Sequence, residues 1–220
     1  MADSKSKWII NFHGVGKLSR EFDPGESEVW LDVDRFKRIL DAIQGEPDLE
    51  ITFDDGNQSD LEIAAPELVK RNLQGTFFIP AGKIGEKGFL TADGLEELVA
   101  SGMKIGSHGW SHRSWRLLDP PSRRREFEES KHHLEQIIQG PVDLAACPFG
   151  EYDRSVLRHL RDAGYRFAYT SDRGMAVSRH FIQPRNTVHA NDGEDDAMIE
   201  RRGFQGSFKR RFRLAVKRWR

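Results

Sequence analysis

One cysteine, Cys147, in a chain of 220 residues excludes an internal disulfide and fits a reducing compartment. Long apolar runs are missing too: none approaches the ~20 residues that a helix needs to cross a bilayer. Met1 to Lys7 is short and polar and leads straight into a strand-like segment, so no secretory leader is expected, and a cytoplasmic location is. Acids are absent from positions 201–220, which hold nine Lys and Arg; since the formal net charge is −1, the first 200 residues together carry −10. So acidic a body gives no expectation of nucleic-acid binding. What is present, 37% hydrophobic and 31% charged residues, suits a soluble globular protein with a substantial core. Two units are expected: a folded body over 1–200 and a basic tail over 201–220.

The body alternates strand-like and helix-like segments. Strands are expected at Trp8–Phe12, Leu49–Phe53, Gly75–Pro80, Met103–Ile105, Leu144–Cys147, Phe167–Thr170 and Phe181–Val188. Between them, helical spacing marks Asp34–Ile43, with Phe36, Ile39, Leu40 and Ile43 on one face, and then 58–72. Further helices are expected over 91–101, 122–139 and 153–163, with Thr91, Ser122 and Asp153 as caps. This alternation predicts a parallel α/β architecture, whose ligands gather at the C-terminal strand ends.

Chemistry-bearing residues fall at those ends. Thr52-Phe53-Asp54-Asp55-Gly56 closes the second strand with two adjacent carboxylates. Strand neighbours point to opposite faces, so the two acids are expected to hold different roles, one on a metal and one on a proton; a solvated turn is the plainer alternative. His108 and His112 are four apart after the fourth strand. On a helix or tight turn that spacing puts both imidazoles on one side, as two metal ligands require; ordinary loop histidines are the alternative. Joined by a carboxylate, they form a set suited to zinc or another first-row divalent ion, with positions left for water and substrate.

At these residues the chain resembles the polysaccharide deacetylases of the NodB homology class, carbohydrate esterase family 4. The Thr52–Gly56 segment resembles the family's first motif. His108-Gly109-Trp110-Ser111-His112 resembles the second, His-Ser/Thr-x-x-His, with Gly109 departing at the second place. Cys147-Pro148-Phe149-Gly150 resembles the third, Arg-Pro-Pro-Tyr-Gly, and Gly75-Thr76-Phe77-Phe78 matches the strand between the first two. The resemblance spans roughly residues 8–190. It implies a distorted (β/α)7 barrel and a metal-dependent hydrolase that removes N-acetyl or N-formyl groups from an amino sugar in a polysaccharide, glycolipid or sugar precursor. It also implies Asp54 as general base, activating water together with the metal. Asp55, His108 and His112 would hold one divalent ion, zinc first, with cobalt, nickel or iron as alternatives. The backbone N–H of Phe149 would complete the oxyanion hole.

Two departures bear on that reading. The third motif's arginine, partner of the base, falls at Ala146; Arg185 is the candidate substitute, with a surface cation as the alternative. The late Leu-x-His motif, source of the general acid, is echoed by Thr187-Val188-His189. His13 is preferred, because circularly permuted members of the family place their acid in an N-terminal segment like Asn11-Phe12-His13. The rival functions are a non-catalytic carbohydrate-binding protein on the same barrel and a barrel amidase acting on a non-sugar amide.

Lesser candidates remain. Trp110 and Trp115 either stack on sugar faces or fasten their loop. His132 and His133 are expected to be solvated or half-buried, Asp172 to lie in a turn or near the site, and Cys147 to be a small buried thiol. In the tail, Phe208, Phe212, Val216 and Trp219 recur at roughly helical intervals among the cations. They predict an amphipathic helix, either on an anionic membrane surface at the inner face or packed on the barrel.

Overall fold

The computed structural model describes residues 5–192, so the basic tail and the last residues of the expected body lie outside the described range. Strands β1 (Ser6–Phe12), β2 (Leu49–Phe53), β3 (Gly75–Ile79), β4 (Lys104–Ser107), β5 (Leu144–Ala146) and β6 (Phe167–Thr170) run parallel in sequence order. Helices α1 (Val33–Ile43), α2 (Ala65–Lys70), α3 (Ala92–Ala100), α4 (Pro120–Arg124), α5 (Ser130–Ile138) and α6 (Arg154–Asp162) form the connections. A short strand β7 (Met175–Val177) pairs antiparallel with β1, β8 (Ile182–Pro184) pairs parallel with β6, and β9 (Asn186–Thr187) pairs parallel with β1. The chain after β6 therefore changes partner from one end of the sheet to the other, and the sheet becomes a nearly closed barrel. The Gln183 side chain sits on the seam and donates to Val177 O at 3.0 Å.

Two-residue alternation decides what lies inside the barrel. Phe12, Phe53 and Phe77 point outward and stack, with centroids 5.4 Å and 4.5 Å apart, and Phe36 of α1 meets Phe12 edge-on at 5.2 Å. Their neighbours Asn11, Thr52 and Thr76 point inward, beside an interior layer that includes Ile9, Phe78, Ala146 and Tyr169. Asp54 continues this inward set at the top of β2.

Beyond shifts of one or two residues at element ends, the main differences from expectation are these. The expected strand Phe181–Val188 is β8 and β9, separated by Arg185 where the partner changes. β7 was not expected, because three residues between turns give no readable period. The fourth strand is Lys104–Ser107 rather than 103–105. The long helical part of the β4–β5 connection starts at Pro120, two residues before the expected cap: the Asp119 carboxylate accepts from Ser122 N at 2.9 Å, and paired prolines fill the first turn, where their missing N–H groups cost nothing. Thr91 and Asp153 do cap α3 and α6.

Candidate active site

A cavity of about 500 Å³ opens at the C-terminal ends of the strands and is lined by His13, Asp54, Asp55, His108, His112 and Phe149 among others. Asp54 is buried and held by three donors. Arg185 gives both arms of its guanidinium, Nη1 to Oδ1 at 2.6 Å and Nη2 to Oδ2 at 2.8 Å, and Asn11 Nδ2 reaches Oδ2 at 3.0 Å. Asn11 Oδ1 in turn accepts from Arg185 Nη1 at 2.8 Å and from Thr52 Oγ1 at 2.7 Å. Arg185 is fully buried, with its guanidinium carbon 5.2 Å from the Phe78 ring centroid. It stands between β8 and β9, while Ala146 on β5 has only a methyl to offer the interior. Burial raises the Asp54 pKa, but Arg185, His108 and His13 outweigh it and hold the carboxyl below its ordinary value.

Asp55 follows with φ 79°, a left-handed turn that returns its side chain to the same cavity. The two acids therefore do not face opposite sides; they share a cavity and differ in partners. The buried Oδ1 of Asp55 has no hydrogen bond of good geometry, yet His112 Nε2 lies 3.1 Å away and His108 Nε2 3.6 Å away. One ligand atom from each of the three residues falls within 4.8 Å of the others.

The His108 imidazole is suitably prepared. His108 Nδ1 contacts Ala146 O at 2.8 Å, and a carbonyl can only accept, so the proton is on Nδ1 and the lone pair on Nε2. Burial lowers the His108 pKa to about 4, which keeps the ring neutral. Burial also lowers that of His112, but the Asp55 carboxylate overrides it and the net shift is upward. These histidines sit in an irregular loop, not a helix, with His112 at φ 47°. Two imidazole nitrogens and one carboxylate oxygen so close together, the oxygen without a hydrogen bond of good geometry, fit a divalent cation that would displace the His112 proton.

Of the other expected residues, His13 lines the cavity, with Nε2 3.9 Å from Asp54 Oδ2 and a buried Nδ1 that has no partner. His189 is not among the lining residues; its backbone N–H is tied to Asp192 Oδ2 at 2.7 Å. Phe149, 65% exposed and at φ 56°, is no core aromatic: its ring lies 4.8 Å from that of His112 at the cavity rim. Neither tryptophan lines the cavity. Trp115 is buried against Phe127, and Trp110 packs on His133 with Arg125 over its ring. Asp172 is buried below the rim and accepts from Tyr152 Oη at 2.6 Å.

The sequence reading missed the far wall. Arg20 and Glu26, from the segment between β1 and α1, form a paired strut; Arg20 also donates to Asn57 Oδ1 at 3.0 Å and lies 4.4 Å over the Phe89 ring. The signal was length: residues 13–32 are far longer than the usual two to six residues of a βα loop, and long loops of this kind are usually functional.

A parallel barrel with a carboxylate and two imidazoles converging at its strand ends defines a class of sugar deacetylase folds, and the chain belongs to the polysaccharide deacetylase family, whose model matches residues 41–168, more than half of it. A curated relative, the putative polysaccharide deacetylase YxkH of Bacillus subtilis, is 29% identical over 143 residues, 65% of this chain and 51% of that protein. The chain thus spans about half the length of the curated relative it matches. Among solved structures, the Streptococcus pyogenes deacetylase PplD in complex with acetate superposes with a TM-score of 0.79 at 19% identity, covering 89% of this chain and 98% of that one. A polysaccharide deacetylase from Bacillus cereus gives 0.78 at 19% identity, covering 89% and 69%. At such identity the likeness shows the fold. Among the described residues, no helix is long and apolar enough to cross a membrane.

Proposed function

We propose that the chain is a metal-dependent hydrolase that removes N-acetyl, or N-formyl, groups from an amino sugar in a glycan, glycolipid or sugar precursor. The observation that carries this reading is the convergence of Asp55 Oδ1 with the Nε2 atoms of His108 and His112, beside a separately held Asp54. Asp55, His108 and His112 would hold one divalent ion, zinc first among the candidates, which when bound supplies Lewis-acid polarisation of the amide carbonyl and a lowered pKa for water.

The remaining chemistry belongs to the side chains. Arg185 keeps Asp54 ionised, so its carboxylate is ready to take a proton from the attacking water. A carboxylate has about four lone-pair sites, and Arg185 and Asn11 occupy three, so acceptor capacity remains for that proton. The backbone N–H of Phe149 would donate to the oxyanion that develops on the carbonyl oxygen. His13, on the far side of Asp54 from the imidazole pair, would protonate the departing amine; its place in the cavity favours it over His189. The walls of Arg20, Glu26 and Phe89 would meet the sugar.

The test compares wild type with a His108→Ala, His112→Ala double variant after dialysis against a weak chelator. About one ion per chain in wild type, lost in the variant, together with acetate release from N-acetylated amino-sugar oligomers, is the expected result. A wild type that takes up neither zinc nor cobalt overturns the proposal.

A further inference from the structure

The loop that carries both histidines owes its shape to a residue outside every motif. Glu126 lies in a π-helical turn, Arg125–Glu129, between α4 and α5, and is fully buried. Its Oε2 accepts from Trp110 N at 2.8 Å, and Ser111 N reaches Oε1 at 3.2 Å. The only cation the carboxylate pairs with among the described residues is Arg113, Nε to Oε1 at 3.4 Å, on the loop's exposed side. Two successive backbone N–H groups aimed at one buried carboxylate are charge-assisted bonds, and they fix the path from His108 to His112.

Gly109 shows how close the fit is. At φ 79° it would strain any side chain, and a Cβ there would lie 2.4 Å from Glu126 Oε2 and 2.8 Å from Trp115 Nε1. The place where the family's second motif carries Ser or Thr is thus filled by the Glu126 carboxylate. Three further backbone groups of the loop are engaged: Gly109 N donates to Ser107 Oγ at 3.1 Å, and the carbonyls of Gly109 and Trp110 accept from Ala81 N and Gly82 N at 2.8 Å each.

We infer that Glu126 is a positioning residue for the metal site, setting the loop so that His112 Nε2 faces Asp55; the inference rests on the metal-site reading above. Groups that orient metal ligands typically change affinity by about 10–100-fold when removed. Glu126→Gln keeps the shape but loses the charge and turns an amide NH2 toward one of the two N–H donors. Zinc affinity is measured by competition with a chromophoric chelator, alongside unfolding of the metal-free protein. Tyr165→Phe is the control: it removes the Tyr165 Oη bond to Phe127 O, 2.9 Å, from the same turn while both Glu126 bonds to the loop remain. Glu126→Gln should weaken zinc binding by about 10–100-fold, and Tyr165→Phe should lower stability with zinc affinity unchanged.

Unchanged affinity in Glu126→Gln overturns the inference. So does an equal loss of affinity in Tyr165→Phe, since the effect would then follow stability alone. If Glu126→Gln does not fold, Gly109→Ala presses the same contact from the other side, and wild-type affinity there likewise overturns it. A wild type that binds no zinc condemns the metal-site reading itself, a different result.

Discussion

At its N-terminal end strand β2 presents Glu50, and at its C-terminal end Asp54 and Asp55. Glu50 accepts from Tyr169 Oη at 2.6 Å and is paired with Lys7, whose ammonium also lies 5.9 Å over the Tyr169 ring. Glu50 and Lys7 have each found a complement within the fold. At the other end only part of the site is closed in this way: Arg185 and Asn11 saturate most of Asp54, while Asp55 Oδ1, beside the His112 ring, and His13 Nδ1 are buried without a hydrogen bond. Unsatisfied buried polar atoms are expensive, at about 1–3 kcal/mol each, and persist where something else is meant to satisfy them. The same strand therefore shows a structural ion cluster and a site, told apart by open valences and not by charge.

The strongest way to break this contrast is Arg185→Ala, which leaves Asp54 buried with a single neutral donor. Removing one partner of a buried pair should cost about 3–5 kcal/mol of stability, read by denaturant unfolding. Turnover should fall far more than metal content, since Arg185 touches none of the proposed ligands. A variant with unchanged stability and rate would show that the bidentate pair does not matter. His13→Ala comes next: loss of a general acid should lower turnover by about 10²–10⁴-fold with metal binding retained. His189→Ala, at a residue outside the cavity lining, should leave the rate near wild type; the opposite pattern would exchange the two assignments. At the lower end of the strand, Tyr169→Phe removes one hydrogen bond to a charged acceptor that keeps Lys7. About 1.5–3 kcal/mol of stability should be lost with turnover intact. If turnover fell with stability, the lower cluster would not be the closed network its contacts describe.

What the sequence made legible follows from how local each feature is. Asp54 and Asp55 end a strand with a readable hydrophobic pattern, and His108 and His112 share five residues, so both groups could be located without the fold. Arg185 was harder: its meeting with Asn11 and Asp54 depends on a strand that leaves β6 and joins β1, an event no window of residues encodes. Glu126 was invisible. It stands in Arg-Glu-Phe-Glu-Glu, where Glu128 and Glu129 are exposed and only packing sets the first acid apart. The loop tryptophans were left open by the sequence, since an aromatic side chain that fastens a loop and one that meets a sugar have the same signature; packing fastens both.

The last expected effect sits five residues beyond the site, and it appears only as pH rises. Asp60 is fully buried at the start of a π-helical turn, and neither carboxyl oxygen has a hydrogen-bond partner. Burial, and then the charges of Asp55 and Asp54, push its pKa well above the ordinary value. The sign follows from which state holds the proton. Below about pH 4 folded and unfolded chains are both protonated at this residue, so it contributes nothing to the pH dependence. As pH rises through the unfolded value, the unfolded chain ionises and the folded one does not, so the native state loses ground. Asp60→Asn cannot titrate and should escape that loss. Its advantage should be negligible near pH 3 and grow as pH rises toward neutrality, read as a widening gap in melting temperature between the variant and wild type. A bound divalent ion would offset the negative charge of Asp55 and Asp54, so the advantage should shrink in zinc-loaded protein. An advantage that is the same at both pH values would mean that Asp60 does not hold its proton, and that the crowding of acids at the upper end of β2 is relieved by some other means.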